Sequence, residues 1–181
     1  MKTALILIDM INDFVTGVFE NERAAKIIPN IKSLLDYARK EKLQVIQATD
    51  AHLPGIDPEF DVWGSHAVAG TWGAEIVDEL KPQGSDFRVL KRKYSAFQGT
   101  DLDQLLRELK VDTVILTGVI TDICIQHTAA DAFFKGYKII VPQDCVESVD
   151  APTQKAAIEY LRKTYRCKIT TSKKLLKEKL V

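Results

Sequence analysis

The chain has 181 residues, of which 46% are hydrophobic and 28% are charged, and its formal net charge is zero. This balance is ordinary for a soluble globular protein, and we expect a single domain over residues 1–181. A neutral chain gives no electrostatic reason to expect nucleic acid or an anionic membrane as a partner. No apolar run approaches the length of about 20 residues that spans a bilayer. Three widely spaced cysteines do not indicate a disulfide framework, so a cytoplasmic location is expected.

Short apolar runs alternate with amphipathic runs along the chain, starting with an apolar run that is too short for a signal peptide. The predicted strands are Lys2–Ile8, Gln44–Thr49, Arg88–Leu90, Thr113–Thr117, Lys138–Val141 and Lys168–Thr170. The predicted helices are Pro29–Lys40, Asp101–Leu109, Ile125–Lys135 and Pro152–Thr164. Pro29 is expected in a first turn, and Thr100 is expected as a cap. The pattern predicts an α/β, three-layer, Rossmann-like fold with a mostly parallel central sheet and helices on both faces.

The C-terminal run Lys173–Lys179 is basic, but Leu175, Leu176 and Leu180 recur in it at helical spacing. This pattern favours a solvated helix face over a binding patch.

Polar or flexible residues follow several predicted strands. Asp9, Asp50 and Gly118 each come directly after one, and the site of a parallel sheet lies at the carboxyl ends of its strands. The segment Gly55–Gly73 is rich in Gly, Pro, Trp and His and lacks a clear period. Long irregular segments in compact domains are often functional, so we expect this one to cover the same edge.

Cys124 lies where the strand before Gly118 gives way to a helix. Thr121 or Asp122 can cap that helix, which would place Cys124 in its first turn. Free N–H groups and the positive end of the helix dipole lower the pKa of a thiol there, and they can hold an oxyanion. By itself this pattern fits a nucleophilic cysteine and a buried structural cysteine equally well.

Asp50 and His52 form an Asp-x-His pair, and Glu59 and His66 follow in the irregular segment. Alternate residues of an extended chain point to one side, so Asp50 and His52 can face the same ion. Two imidazoles with carboxylates suit Zn²⁺, and also Mn²⁺ or Fe²⁺. An isolated Asp-x-His pair, however, is more often part of a solvated loop.

Three segments resemble the cysteine hydrolases of the isochorismatase superfamily, and within it the nicotinamidases. Ala4–Phe14 is similar to the family's first strand, which ends in a catalytic Asp. Lys91–Phe97 is similar to its catalytic-lysine segment, and Gly118–Asp131 is similar to its nucleophile segment. The segments stand in the family's order, and the resemblance covers nearly the whole chain.

The resemblance implies a catalytic trio of Asp9, Lys91 and Cys124. Asp9 would move a proton between the thiol and the departing amine, and Lys91 would stabilise the thiolate and hold the Asp side chain. Spacing does not decide whether Lys91 or Lys93 points inward, but the family pattern selects Lys91. The family also has a non-proline cis peptide bond leading into the residue at Ile120, and the N–H groups of Ile120 and Cys124 would form the oxyanion hole.

The resemblance further implies an aromatic ring pocket at Phe14, Trp63 and Tyr94. A pyridine ring between aromatic side chains gains packing and stacking energy. Simple core packing is the alternative explanation for Phe14 and Tyr94.

Nicotinamidases have an Asp-x-His pair after the second strand and a later His before a Gly-Thr pair, and some add a Glu seven residues before that His. All four positions are filled here, by Asp50, His52, Glu59 and His66. The implied cofactor is one divalent ion, with zinc first and manganese or iron as alternatives. The remaining His127 is expected on a helix surface or in packing, and Cys145 and Cys167 are expected to be inert.

The implied activity is the hydrolysis of nicotinamide, or a related pyridine carboxamide, to the acid and ammonia through a thioester on Cys124. One rival is another superfamily hydrolase that acts on a carbamoyl compound, a different amide or isochorismate. The other rival is a catalytically silent binding domain. A homo-oligomer is expected by family analogy alone.

Overall fold

The computed structural model describes residues 2–178, and its centre is a parallel sheet. The strands in this part of the chain are β1 (Thr3–Ile8), β2 (Gln44–Asp50), β3 (Phe87–Lys91), β4 (Thr113–Val119), β5 (Lys138–Pro142), β6 (Val146–Glu147) and β7 (Lys168–Thr170). Their order is β3-β2-β1-β4-β5-β7, and β6 pairs with β4. All these pairings are parallel. The predicted α/β fold is confirmed.

Helices cover both faces of the sheet. The helices of the described residues are α1 (Asn12–Val15), α2 (Glu22–Lys40), α3 (Glu59–Trp63), α4 (Leu102–Glu108), α5 (Gln126–Phe134), α6 (Ala151–Thr164) and α7 (Ser172–Glu178). Ala4, Ile6 and Ile8 of β1 pack in one apolar cluster with residues of α4, α5 and α6. Leu5 and Leu7 pack in a second cluster with α2 and α7. Successive side chains of a strand point to opposite faces, so β1 lies at the centre of a three-layer molecule. Within residues 2–178, no helix is both long and apolar enough to cross a membrane.

The predicted start of α2 at Pro29 is wrong. The helix begins seven residues earlier at Glu22, where the Asn21 side chain accepts hydrogen bonds from the N–H groups of Arg23 and Ala24 at 3.0 and 3.3 Å. Pro29 lies inside the helix, where it has no N–H to donate. The helix continues through it because Ile27 and the residues beyond Pro29 on the same face are buried against the sheet. Tertiary packing therefore outweighs the local signal of the proline.

Several other boundaries differ from the predictions. β4 continues through Gly118 to Val119, and β3 includes Lys91. The two-residue strand β6 was not predicted. The segment Gly55–Gly73 is not wholly irregular, because α3 forms within it. The C-terminal run forms α7, as its spacing predicted, whereas Lys179 and Leu180 lie outside the described residues.

Candidate active site

The carboxyl ends of β1, β3 and β4 bring Asp9, Lys91 and Cys124 together. Asp9 directly follows β1 and has a φ of 53°, in the left-handed region where a non-glycine residue is uncommon. The Nζ atom of Lys91 lies 2.7 Å from Oδ2 of Asp9 and 3.6 Å from Sγ of Cys124. All three side chains are buried. The structure thus places the predicted trio in one contact group, and Lys91 points inward whereas Lys93 is exposed.

Asp50 links this trio to the predicted metal ligands. Its Oδ1 lies 2.7 Å from Nζ of Lys91, and its backbone N–H donates to Oδ1 of Asp9 at 2.8 Å. One oxygen of Asp9, one oxygen of Asp50 and Sγ of Cys124 all lie within 4.8 Å of one another. Cys124 and the predicted metal ligands therefore share a continuous buried network.

The prediction that the local backbone lowers the pKa of Cys124 is wrong. Burial raises the pKa of this thiol well above its ordinary value, and the nearby charge of Lys91 offsets only part of that shift. Burial and the charge of Asp50 also raise the pKa of Asp9, to about 7, against the opposing effect of Lys91. Burial therefore favours the neutral form of the thiol, and the raised pKa of Asp9 suits proton exchange near neutral pH.

The turn that carries Cys124 also differs from the predicted helix start. Thr121–Ile125 is a π-helical turn, in which the Ile120 carbonyl accepts from the N–H groups of Ile123 and Ile125. Neither Thr121 nor Asp122 caps a helix here, since the turn has no side-chain cap and Asp122 instead accepts from the Ser148 hydroxyl at 2.6 Å. Cys124 consequently precedes α5 rather than lying in its first turn.

The peptide bond between Val119 and Ile120 is cis, as the resemblance implied. Within residues 2–178, the N–H of Ile120 donates to no backbone or side-chain acceptor. Ile120 and Cys124 both line one cavity, as the predicted oxyanion hole requires.

The four predicted metal ligands converge as a buried group. One donor atom from each of Asp50, His52, Glu59 and His66 lies within 4.8 Å of the others. Nε2 of His52 lies 3.7 Å from Oδ2 of Asp50 and 3.6 Å from Oε2 of Glu59. These distances are too long for hydrogen bonds, and the buried His52 Nε2 has no hydrogen-bond partner among the described residues.

The other ring nitrogens of the two histidines are already held by the protein. Nδ1 of His52 lies 3.3 Å from Oδ2 of Asp57, and Nδ1 of His66 lies 2.7 Å from the Gly64 carbonyl. Such contacts orient Nε2 of each ring towards a metal. His52 Nε2 is therefore a buried nitrogen with no hydrogen-bond partner among the described residues, and it lies between two carboxylates. Imidazole nitrogens and carboxylate oxygens together are typical ligands of a divalent cation, so these residues fit the implied metal.

A cavity of about 480 Å³ opens onto these groups. Phe14, Trp63 and Tyr94 all line it, and the indole N–H of Trp63 donates to the Tyr94 hydroxyl at 3.0 Å. The segment Gly55–Gly73 contributes Glu59, Trp63 and His66 to the wall, in agreement with its predicted place over this edge.

The family can be assigned from the whole chain as well as from the site. The isochorismatase domain pattern matches residues 3–174. The chain belongs to the isochorismatase family of hydrolases. It is 30% identical to the isochorismatase family protein YaaI of Bacillus subtilis over 97% of each chain. It is 33% identical to the ureidoacrylate amidohydrolase RutB of Caulobacter segnis, over 86% of this chain and 77% of RutB.

Solved structures of this isochorismatase family include several amidases. N-carbamoylsarcosine amidase of Thermoplasma acidophilum has a TM-score of 0.90 at 38% identity, over 95% of this chain and 97% of its own. Nicotinamidase PncA of Bacillus subtilis has a TM-score of 0.90 at 33% identity, over 94% and 99%. Pyrazinamidase of Pyrococcus horikoshii, solved with zinc, has a TM-score of 0.87 at 28% identity, over 94% and 99%.

Several cavity residues of this family member could not be found from its sequence. Phe19 stacks on Phe14 with ring centroids 5.3 Å apart, and Arg23 also lines the cavity. Both lie beside the misplaced start of α2, where no hydrophobic periodicity distinguishes them. Asp57, which contacts Nδ1 of His52, was not predicted because it lies in the segment Gly55–Gly73, which has no clear hydrophobic period.

The remaining predicted residues lie apart from the chemistry. His127 is exposed on α5 and packs beside the Tyr94 ring at 5.3 Å. Cys145 and Cys167 are buried, and burial raises the pKa of both thiols, that of Cys167 to about 12. Both are expected to be unreactive at neutral pH.

Proposed function

We propose that this hydrolase is a metal-dependent nicotinamidase, which converts nicotinamide to nicotinate and ammonia through a thioester on Cys124. The observation that carries the proposal is the buried ligand group beside the catalytic trio, in which His52 Nε2 has no described partner. Aromatic side chains on the same cavity wall suit a pyridine ring. The zinc-bound pyrazinamidase of similar fold is consistent with it.

Asp50, His52, Glu59 and His66 would hold one divalent ion, with zinc first among the candidates. When bound, the ion supplies a Lewis-acidic position for the ring nitrogen of a pyridine. Phe14 and the Trp63–Tyr94 pair would then confine the ring so that its amide faces Cys124.

In the acylation step, Asp9 accepts the proton from Sγ of Cys124, and the thiolate attacks the amide carbonyl. The oxyanion that forms accepts hydrogen bonds from the N–H groups of Ile120 and Cys124. Asp9 then returns its proton to the amide nitrogen, the carbon–nitrogen bond breaks, and ammonia leaves. Lys91 supplies the positive charge that holds Asp9 and stabilises the thiolate.

In the deacylation step, Asp9 accepts a proton from a water molecule as that water attacks the thioester carbonyl. The carbon–sulfur bond breaks, and the proton on Asp9 returns to Sγ of Cys124. The acid leaves and the resting thiol is restored. A carboxyl with a pKa of about 7 suits a group that accepts and donates in turn.

A second candidate is an amidase that acts on carbamoyl compounds. The same trio and cavity would serve the amide bond of a carbamoyl group. The 38% identity to N-carbamoylsarcosine amidase agrees with this candidate.

Ammonia release from nicotinamide, measured with zinc-loaded protein, tests the proposal. Cys124→Ala should abolish release while leaving the fold intact, and Cys167→Ala should retain most of it. Asp9→Asn should lower kcat by a factor on the order of 10² to 10⁴ with little change in KM. Release of ammonia from carbamoyl compounds but not from nicotinamide would favour the second candidate, and full activity of Cys124→Ala would contradict both.

A further inference from the structure

The cavity wall carries a charge arrangement that the catalytic groups do not use. Arg23, in the first turn of α2, is the single basic side chain among its described lining residues apart from His66. The guanidinium NH2 group of Arg23 lies 2.8 Å from Oε1 of Glu147 on β6. The same oxygen accepts from the N–H of Ser148 at 3.1 Å, so the acceptor is held in place.

Three further acidic side chains, Glu20, Glu22 and Asp122, line the cavity outside the metal-ligand group. A bound divalent ion would balance Asp50 and Glu59, and Lys91 balances Asp9. Glu147 neutralises Arg23. The remaining wall is therefore negative, and a substrate carboxylate would meet repulsion that no unpaired cation among the described lining residues offsets.

We propose that the Arg23–Glu147 ion pair is a specificity determinant that selects uncharged amides and excludes amides bearing a carboxylate. This inference rests on the proposed function to the extent that the substrate is an amide. Glu147 acts through Arg23: it cancels the one cationic group that an anionic substrate could bind.

The test uses two matched pairs of substrates with zinc-loaded protein. One pair is nicotinamide and 5-carbamoylpyridine-3-carboxylate, and the other is the methyl ester of ureidoacrylate and ureidoacrylate itself. The readout is the ratio of kcat/KM for the anionic member to that for the neutral member. The wild-type ratio should be well below one for each pair that is hydrolysed.

Glu147→Gln keeps the side-chain shape but leaves Arg23 uncompensated. It should raise the ratio about tenfold, the scale of one unit charge several ångströms away in a partly solvated cavity. The gain should shrink as salt is added, because screening weakens a charge effect and leaves a packing effect unchanged. Adding Arg23→Gln to Glu147→Gln should remove the gain. Glu159→Gln, on α6 and paired with Arg162 and Lys163, is the matched control and should leave the ratio unchanged.

The outcomes separate the two proposals. If nicotinamide is not hydrolysed but the neutral ester is preferred to ureidoacrylate, the nicotinamidase proposal fails and the charge selectivity stands. If the anionic members are preferred by the wild type, or if Glu147→Gln leaves the ratio unchanged, the charge selectivity is overturned. Hydrolysis of none of the four compounds contradicts both.

Discussion

Lys91 carries a buried positive charge between two carboxylates. Burial lowers the pKa of its amine, but Asp50 and Asp9 raise it by more, so the pKa ends well above the ordinary value. Burial raises the pKa of Asp50 as well, but the charge of Lys91 and the contact with His52 bring it below the ordinary value. Removal of Lys91 would leave two buried acids without their common partner, which is a severe change for stability as well as for catalysis.

At the same scale, Asp57 is predicted to control the zinc affinity of the proposed metal site. Its carboxylate is buried, contacts Nδ1 of His52, and accepts from the Leu53 N–H at 2.7 Å and from Nε of Arg92 at 3.0 Å. Asp57→Asn removes the charge that orients the ring. We expect the dissociation constant for Zn²⁺ to rise about 10- to 100-fold, because partners behind a metal-bound histidine typically contribute that much.

Competition with a chelator of known zinc affinity measures this change directly. Asp61→Asn is the matched control, because Asp61 lies nearby on the short helix α3 and is exposed. Equal zinc affinities of Asp57→Asn and wild type would show that Asp57 does not support His52.

At the scale of elements, the packing of β1 against β4 depends on Gly118. A Cβ atom at this position would lie 1.9 Å from the Ile8 carbonyl oxygen, and the φ of Gly118 is 110°. The obstructing atom is backbone in the central strand, so it cannot move without disturbing the sheet. We expect Gly118→Ala to give no folded protein at 25 °C, as judged by far-UV circular dichroism and gel filtration.

A comparison with Gly136→Ala separates the two effects that act at Gly118, the steric clash of an added Cβ atom and the strain of a positive φ. Gly136 also has a positive φ, 83°, but nothing lies within 4 Å of an added Cβ there. Its substitution should cost only about 1–2 kcal/mol of unfolding free energy, the usual cost of a left-handed non-glycine residue. Comparable losses in the two variants would refute the crowding argument.

The contact between α4 and the start of β5 gives a pH-dependent prediction. The Tyr137 hydroxyl donates to Oδ1 of Asp103 at 2.8 Å. Burial raises the pKa of Asp103. This hydrogen bond and the charges of Lys135 and Arg107 lower it by a larger amount, so the pKa of Asp103 is below its ordinary value. A carboxyl with a lowered folded pKa stabilises the fold above its unfolded pKa of about 3.9 and loses that contribution as pH falls.

Tyr137→Phe should therefore reduce the unfolding free energy by about 1 kcal/mol at pH 7 and by less near pH 3. Urea denaturation at the two pH values measures the difference. Tyr37→Phe is the control, because the Tyr37 hydroxyl makes no side-chain hydrogen bond within residues 2–178, and its effect should not change with pH. A Tyr137→Phe effect that is equal at both pH values would exclude the ionised carboxylate as its source.

At the scale of the whole molecule, structure could be predicted from the sequence wherever the hydrophobic pattern and the family motif agreed. The central strands and the positions of Asp9, Lys91 and Cys124 are of this kind. The strand β6 was not predicted because a strand of two residues is too short to show an alternating hydrophobic pattern. The Arg23–Glu147 pair was missed because its members are 124 positions apart and meet only through the fold. The protonation of Cys124 was mispredicted because burial depends on the packed structure rather than on the local turn.

Binding of the proposed metal is predicted to stabilise the folded molecule, because the proposed ligands join the end of β2 to α3 and to the following loop. Zinc at about 100 times its dissociation constant should raise the unfolding free energy by about 2.7 kcal/mol, since the assembled ligand group exists only in the folded state. Thermal unfolding with zinc and with excess chelator measures the shift. His66→Ala should abolish it, and an unchanged Tm in the wild type would argue against a metal site.

Both tryptophans of the chain, Trp63 and Trp72, lie in the segment that covers the cavity. Trp63 is 44% exposed and hydrogen-bonded to Tyr94 at the cavity wall, whereas Trp72 is 58% exposed and does not line the cavity. Tryptophan fluorescence of this protein therefore monitors the segment Gly55–Gly73 rather than the core. In Trp72→Phe, the emission would come from a single indole that touches the substrate space, so ligand titrations need no added dye.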